Sequence, residues 1–174
     1  GVALVEIKRG RFHVRSNVII SQAKLHNRYG GVVPELAGRN HLKNIIPAID
    51  QVLSPLLAEE RARVRSEEIR KKLDAIAVTR GPGLVTSLHV GVETAKTLSL
   101  AWGVPLVGAN HMEGHIYSPL LPEEGVRGRW ERSMEQPRIT FPAVCLIVSG
   151  GHTELILMTN HGQYKLLGKT RDDA

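Results

Sequence analysis

Apolar positions in the first part of the chain follow two different periods. Residues 2–7 and 12–20 are two runs rich in β-branched and aromatic side chains, separated by a short basic segment with a glycine, and they predict a β-hairpin. From 34 to 57 the apolar residues recur at intervals of three and four, which predicts a long amphipathic helix with Pro34 in its first turn. Residues 66–73 predict a second, solvated helix that begins at a serine cap.

The middle of the chain has the pattern of a strand, a helix and a second strand. A short strand is predicted at 75–79, and the glycine-rich turn Gly81-Pro82-Gly83 follows it. A helix is predicted at 84–102, with a glycine as its terminator, and a further strand at 105–107. This β-α-β unit predicts that at least part of the sheet is parallel.

The last part of the chain has a different organisation. After a short predicted helix at 111–120, residues 122–140 combine Pro, Gly and several arginines without an apolar period, which predicts a linker. Three short apolar runs with glycine-bearing turns then predict an antiparallel sheet, at 142–148, 153–158 and 163–167. The predicted fold class is α/β, with mixed sheets and flanking helices. The predicted segments are a first domain at 1–121, the linker at 122–140, and the truncated start of a second domain at 141–174.

The composition excludes several classes of protein. The 174 residues are 42% hydrophobic and 23% charged, which is ordinary for a globular protein with one domain-sized core. No apolar run approaches the roughly 18 residues of a membrane-spanning helix, and no segment has the pattern of a cleaved signal. These features predict a cytoplasmic protein without a membrane partner. The single cysteine, Cys145, lies in an apolar run, which excludes a disulfide framework and predicts a buried thiol in a strand.

The charge of the chain permits a phosphate-rich partner. Its formal net charge is +6 and its isoelectric point is near 9.8. Aromatic residues make up only 4%, too few for a platform that stacks nucleic-acid bases, so phosphate contacts should dominate any binding of RNA. The chain opens at Gly1 without an initiator methionine and closes at Ala174 without a terminating turn, and we expect it to be a piece of a longer protein.

The segment from Asn110 to His115 is the strongest local indication of chemistry. On a helix, His111 and His115 lie four residues apart on one face, where both imidazoles can reach one metal ion. Two histidines alone make a weak site, and a distant carboxylate as third ligand would suit iron or zinc. Spacing alone leaves two unconnected surface imidazoles as an equal alternative.

Glu113 has two interpretations. In the metalloprotease pattern H-E-x-x-H the glutamate directly follows the first histidine, whereas Glu113 is the second residue after His111 and is turned away from the metal side. With Asn110 as the helix cap, a glutamate three residues later completes a capping box. We favour this structural role, and no side chain of the chain is assigned as a catalytic residue.

A second segment, from Ile147 to Thr153, joins two predicted strands through Gly150 and Gly151. Its glycines allow backbone donors to converge on an anion such as phosphate, although an ordinary glycine hairpin is the alternative that spacing alone favours. A P-loop would require a following helix and a lysine. Ser149 with His152 suggests a nucleophile and its base, but no third group orients the pair, so we set this hypothesis aside.

Two further segments can contact anions. Arg80 and the turn after it precede a predicted helix, whose amino end can face a negative charge, and a plain βα turn is the equal alternative. The basic segment 127–132 in the predicted linker can touch an RNA backbone, although a solvated loop is the favoured interpretation.

Taken together, five segments resemble one family, the catalytic subunits of tRNA N6-adenosine threonylcarbamoyltransferase, formerly labelled O-sialoglycoprotein endopeptidases. Their order and separation match the family across nearly the whole chain. The segments are Ser21-Gln22 with His26, Tyr29-Gly30-Gly31-Val32-Val33-Pro34-Glu35-Leu36-Ala37, Arg80-Gly81-Pro82-Gly83-Leu84, His111-Met112-Glu113-Gly114-His115 and Val148-Ser149-Gly150-Gly151-His152-Thr153. The resemblance implies an actin-like ATPase fold of the kind shared by sugar kinases and Hsp70, which is related to RNase H.

The resemblance also implies a site and a reaction. It implies that His111 and His115 bind one divalent metal ion, iron or zinc. It implies that the hairpin holds threonylcarbamoyl-AMP, or ATP or ADP, through Ile147, Val148, Ser149, Gly150 and Gly151. The implied reaction transfers the threonylcarbamoyl group to the N6 amine of the adenosine beside the anticodon, in tRNAs that read ANN codons. The implied partners are tRNA and, in a bacterial protein, a paralogous actin-like scaffold subunit and a small ATPase subunit.

The chain departs from the family pattern in three respects. The opening Glu-Thr-Ser-Cys-Asp strand of the family would precede Gly1, its aspartate metal ligand and adenosine pocket would follow Ala174, and the linker is longer than usual. We therefore expect this chain alone to be inactive and to bind metal and nucleotide poorly. Two alternatives stay open. The offset of Glu113 argues against a metal-dependent glycoprotein endopeptidase, and the histidine pair argues against a non-catalytic scaffold relative.

Overall fold

The computed structural model describes residues 1–9, 11–57, 66–121, 138–149 and 152–171. The described residues contain seven β-strands and five α-helices, and this mixture confirms the α/β class. By contact the chain divides into two compact units, Gly1–His111 and Met112–Ala174. The domain boundaries predicted from the sequence stay predictions.

The first unit opens with the predicted β-hairpin. β1 (Val2–Lys8) and β2 (Arg11–Val18) pair in antiparallel fashion, and their apolar side packs on the helix α2 (Pro34–Leu57), which has the predicted bounds. Alternation along the strands places one set of side chains against the helix, and this burial holds the hairpin in place. The residues of this core are Val2, Leu4, Val18, Ala48 and Val52.

A buried histidine organises the segment that leads into α2. The backbone N–H of Val33 donates to His26 Nδ1 at 3.3 Å, so the proton of this ring sits on Nε2, which donates to Gln22 Oε1 at 3.2 Å. Gln22 Nε2 in turn lies 3.3 Å from His41 Nδ1. Burial lowers the pKa of His41. Gly30 adopts a positive φ of 69°, which reverses the chain between the short helix α1 (Ala23–His26) and α2.

The predicted β-α-β unit is confirmed. β3 (Ile76–Gly81) and β4 (Leu106–Asn110) pair in parallel, and α4 (Val85–Trp102) connects them. Both strands run further than predicted, to the pair Gly81 and Asn110. α4 packs on β3 and on α2, and α3 (Ser66–Lys72) packs on α4. The predicted solvated helix α3 exposes its basic residues 70–72, but it is not solvated on every side, because Ile69 is buried.

The second unit is a three-stranded antiparallel sheet with a short helix on it. The strands β5 (Ala143–Ser149), β6 (His152–Asn160) and β7 (Gln163–Lys169) are neighbours in that order, as predicted. α5 (His111–Tyr117) is shorter than predicted, because Ser118–Leu120 forms a 3₁₀ turn with Pro119 near its start. The core of this unit contains Ile116, Ile147, Ile156 and Met158.

Cys145 lies in a strand as predicted, but it is half-buried, so the prediction of a buried thiol is wrong. It lies at the margin of the core, where its sulfur is 3.5 Å from the sulfur of Met158. Residues 122–137 of the predicted linker, including its basic segment, lie outside the described residues. Of the helices in the described ranges, none combines the length and apolar character needed to cross a membrane.

Candidate metal and nucleotide site

Two of the predicted segments meet at one edge of the parallel strands. Gly81 ends β3 and Asn110 ends β4, and the register pairs these two residues. Because parallel strands have their carboxyl ends at the same edge, the turn after β3 and the start of α5 are neighbours. The ring of His111 confirms this, since its Nδ1 atom lies 3.1 Å from the carbonyl oxygen of Pro82.

This hydrogen bond determines the tautomer of His111. A carbonyl oxygen only accepts, so Nδ1 carries the proton and donates it to Pro82. In a neutral imidazole the lone pair then sits on Nε2, which is the form that binds a metal ion. Histidines that bind metals commonly donate their second nitrogen to a backbone carbonyl or a carboxylate. The chemistry of His111 therefore fits a metal ligand.

The same side of α5 carries His115. The two histidines are four residues apart, about one helical turn, and both are exposed. The hydroxyl of Ser118 donates to the carbonyl oxygen of His115 at 2.9 Å and holds the last turn of the helix. Within the described residues, no group of three His, Cys, Asp or Glu side chains could hold a metal ion. The role of the pair as metal ligands stays a prediction.

The turn between β3 and α4 depends on its glycines. Gly81 and Gly83 have φ angles of 147° and 157°, which residues with a side chain rarely adopt. A Cβ atom at Gly83 would lie 3.5 Å from Leu88, an ordinary contact, so the constraint is the backbone angle. Leu84, at the start of α4, supplies no side-chain cap. The turn directs the Pro82 carbonyl to His111, and anion binding at the helix start stays a prediction.

Another side of α5 packs on the sheet of the second unit. Ile116 is buried against Ile147 and Met158, and the side chain of Met158 is 0% exposed. The side chain of Ile147 thus belongs to the core, so only its backbone could contact a substrate. Ile147 lies two residues before Ser149, at the end of β5. This packing places α5 beside the strand that leads into the predicted anion-binding hairpin.

The hairpin turns at the predicted position. The register pairs Ser149 with His152 and Val148 with Thr153, and the side chain of Val148 is 66% exposed. The hydroxyl oxygen of Thr153 is buried and has no hydrogen-bond partner within the described residues. Buried polar atoms are rarely left without a partner, so Thr153 is a candidate ligand contact that the sequence analysis did not single out. The two glycines of the turn, residues 150 and 151, and the side chains of Ser149 and His152 lie outside the description.

A polar aromatic cluster, which the sequence analysis missed, lies at the end of α5. The Tyr117 hydroxyl is 2.9 Å from His161 Nδ1, and the Tyr164 hydroxyl donates to that of Tyr117 at 3.5 Å. The ring of His161 stacks on that of Tyr117, with centroids 5.8 Å apart, and lies at 84° to the ring of Phe141, with centroids 4.8 Å apart. We call Tyr117, His161 and Tyr164 the tyrosine–histidine cluster. Its members are far apart in the sequence, so no local pattern indicates it.

The pKa of Tyr164 shows which side chain lies near Glu113. Burial raises the pKa of the Tyr164 hydroxyl, and contacts with Tyr117 and with the Glu113 carboxylate raise it further. Glu113 therefore lies near Tyr164. Its predicted role in a capping box stays a prediction.

The protein thus belongs to the α/β class, and its two exposed histidines lie on the helix that directly follows a parallel strand. Residues 13–174 match the tRNA N6-adenosine threonylcarbamoyltransferase family. A relative of that name from Thermomicrobium roseum is 53% identical over 99% of this chain. Relatives of the same name from Dehalococcoides mccartyi strain CBDB1 and Salinibacter ruber are 48% and 49% identical over 93% and 92% of this chain. The chain belongs to the tRNA N6-adenosine threonylcarbamoyltransferase family.

The chain is shorter than these relatives. It spans 42% of the length of the protein from Thermomicrobium roseum, 43% of that from Dehalococcoides mccartyi and 41% of that from Salinibacter ruber. The activity, substrates and partners of a full-length protein are therefore proposals.

Proposed function

We propose that the full-length protein transfers the threonylcarbamoyl group from threonylcarbamoyl-AMP to the N6 amine of the adenosine beside the anticodon, in tRNAs that read ANN codons. The observation that carries this proposal is the family match over residues 13–174. The site geometry supports it, because His111 already has the tautomer of a metal ligand through its bond to Pro82. The chain by itself we expect to be inactive.

In this proposal the two histidines and the hairpin have separate tasks. His111 and His115 hold one divalent ion, iron or zinc, for which imidazole nitrogens are suitable ligands. Such an ion, when bound, polarises a carbonyl or phosphoryl oxygen. The turn that follows Ile147, Val148 and Ser149 holds the phosphate of the adenylate, or of ATP or ADP, through its backbone donors. The buried hydroxyl of Thr153 is a further donor at this place.

The transfer balances between its two substrates, the adenylate and the tRNA, and needs no oxidant and no further co-reactant. The exocyclic nitrogen of the adenosine bonds to the carbamoyl carbon, and the bond from that carbon to the phosphate oxygen breaks. AMP leaves, and the amine loses one proton to an acceptor that is not assigned to any side chain of this chain. What the residues contribute is orientation, because a fixed acyl group and amine react faster than freely diffusing ones.

The proposal includes the fold and the partners. We propose the actin-like ATPase fold, with the described sheets and helices as its first part. Binding of tRNA would draw on the net charge of +6. We also propose, for a bacterial protein, a paralogous scaffold subunit and a small ATPase subunit. The reaction would take place in the cytoplasm, where its tRNA substrate is.

The test replaces both histidines in the full-length protein. We expect His111→Ala with His115→Ala to reduce the formation of modified tRNA from threonylcarbamoyl-AMP by a factor of about 100 or more. The loss of a residue that only hydrogen-bonds to a metal ligand already lowers metal affinity or activity by about 10–100-fold. Folding should be unchanged, since both side chains are exposed. Liquid chromatography of the digested tRNA measures the modified nucleoside, and circular dichroism monitors the fold.

A matched control and a metal measurement complete this test. His89→Ala removes another exposed histidine, on α4, and should leave the reaction unchanged. Elemental analysis of the protein, purified without a metal-affinity resin, identifies the ion and should show its loss in the double variant. Full modification by the double variant would refute the metal assignment. A wild-type protein that holds metal but never modifies tRNA would refute the proposed reaction.

A further inference from the structure

The tyrosine–histidine cluster has no role in the reaction described above, yet it contacts the helix that carries both histidines. α5 has only seven residues, and a helix of this length has little stability of its own in water. Its position and its rotation about its axis must therefore come from tertiary contacts. The core contact of Ile116 supplies burial, which is non-directional and leaves some freedom of rotation.

The last residue of α5 supplies a directional contact. Tyr117 follows His115 by two positions, which is roughly 200° around the helix axis. Its side chain therefore lies on the side of α5 away from the histidines. The Tyr117 hydroxyl is 2.9 Å from His161 Nδ1, a good hydrogen-bond distance. In the tautomer of His161 that carries its proton on Nε2, Nδ1 accepts this bond from the Tyr117 hydroxyl.

The histidine that receives this bond is itself held. Its ring contacts the rings of both Tyr117 and Phe141, and its backbone N–H donates to the Asn160 side chain at 2.8 Å. Gly162, with φ of 72°, completes the tight turn between β6 and β7. A fixed acceptor on this turn therefore determines where the end of α5 lies.

We propose that the tyrosine–histidine cluster is a positioning device, in which the bond from Tyr117 to His161 sets the rotation of α5 and so the direction of the His115 side chain. The consequence for catalysis rests on the proposed function, in which His115 binds the metal. The positioning itself does not depend on the metal, and it can be measured in metal-free protein.

The first experiment measures hydrogen–deuterium exchange of the α5 amides in metal-free, full-length protein. Tyr117→Phe and His161→Phe keep the rings but remove the hydrogen bond, and each should speed exchange about threefold to tenfold, the factor expected for one such bond. The double variant should show the same factor as either single variant, because both changes remove one shared bond. Thr159→Val is the matched control, since it removes a hydroxyl that donates to Gln163 beside the same turn.

The second experiment titrates Co²⁺ into the same proteins and records its absorption bands. We expect about threefold to tenfold weaker Co²⁺ binding and altered bands in both Phe variants. Residues that hydrogen-bond directly to a metal ligand typically change metal affinity by about 10–100-fold, and this contact acts less directly. His161→Asn should restore both properties, because its side-chain oxygen can accept near the position of Nδ1.

Each outcome bears on one claim. Unchanged α5 exchange in both Phe variants, or an Asn variant as impaired as the Phe variant, would overturn the positioning role. A wild-type protein that binds no Co²⁺ would count against the proposed metal site, while the exchange rates would still answer the positioning question.

Discussion

The two ends of α5, each with one of the two histidines, make different contacts. His111 is held directly, through a hydrogen bond from its own ring to the carbonyl of Pro82. At the other end of the helix, Ile116 packs in a core and the Tyr117 hydroxyl lies within hydrogen-bond distance of His161. One support is a short turn with unusual backbone angles, and the other is a core together with a side-chain network.

The two histidines share one face of a helix, yet different contacts support the two ends of that helix. A change in the glycine turn should act on His111 through its hydrogen bond, whereas a change in the core should act on α5 as a whole. Substitutions at sites without shared partners usually change the free energy of unfolding additively. If the two supports are independent, a substitution in the turn and one in the core should therefore have additive effects. Three predictions test this comparison.

The largest effect is expected from the core under α5. Met158 is 0% exposed, and Met158→Ala should lower the free energy of unfolding of the second unit by about 2–5 kcal/mol through lost burial and a cavity. Urea unfolding followed by circular dichroism measures this change. Val52→Ala, in the core of the first unit, is the control and should leave α5 exchange unchanged. Faster exchange of the α5 amides should accompany the change in Met158→Ala, and unchanged exchange would show that this core does not support α5.

An intermediate effect is expected from the glycine turn. Gly83→Ala should cost about 1–3 kcal/mol, because φ of 157° at this position is strained for alanine. It should also shift the ¹⁵N signal of His111 Nδ1, because the N–H at this atom donates to the Pro82 carbonyl in the wild type. Gly168→Ala is the control, since its new Cβ would have no neighbour within 4 Å. If Gly83→Ala leaves the His111 signal in place, as the control does, the direct support of His111 is refuted.

The smallest effect is expected from the pH dependence of the tyrosine–histidine cluster. The pKa of Tyr164 is raised by burial and by its neighbours, from an ordinary value of 10.0. The neutral phenol is thus favoured in the folded protein, so its stabilising contribution is complete below about pH 10 and is lost as the pH rises above that value. Urea midpoints between pH 9 and pH 11 should fall more steeply for the wild type than for Tyr164→Phe. Parallel curves would contradict this, and Tyr29→Phe, at a residue that is 60% exposed, is the control.

Most of the secondary structure could be predicted because its signals are local. The bounds of α2 follow from apolar spacing with a proline in the first turn, and Gly103, with φ of 64°, ends α4 as predicted. The predictions failed where a distant contact decided the outcome. Ile69 of α3 is buried although its helix is rich in charge, and Cys145 is only half-buried because it lies at the edge of its core.

The candidate site shows the same division. His111, His115 and the hairpin after Ile147 are predicted from spacing and from the family resemblance, and their role as a site stays a prediction. The sequence could not show that the Thr153 hydroxyl is buried and has no hydrogen-bond partner among the described residues, because the burial of one atom depends on the packing around it. The cluster at the end of α5 could not be found either, since its bonds join residues 44 and 47 positions apart.

By itself, the sequence determined the family, the order of helices and strands, and the pair of histidines on one helical face. These properties depend on residue type and spacing over a few positions, where the geometry of the backbone is known in advance. Only the tertiary structure decided that Pro82 sets the tautomer of His111 and that Tyr117 and His161 hold the other end of α5. Such contacts depend on which distant side chains meet when strands pair and cores pack, and no local period encodes that meeting.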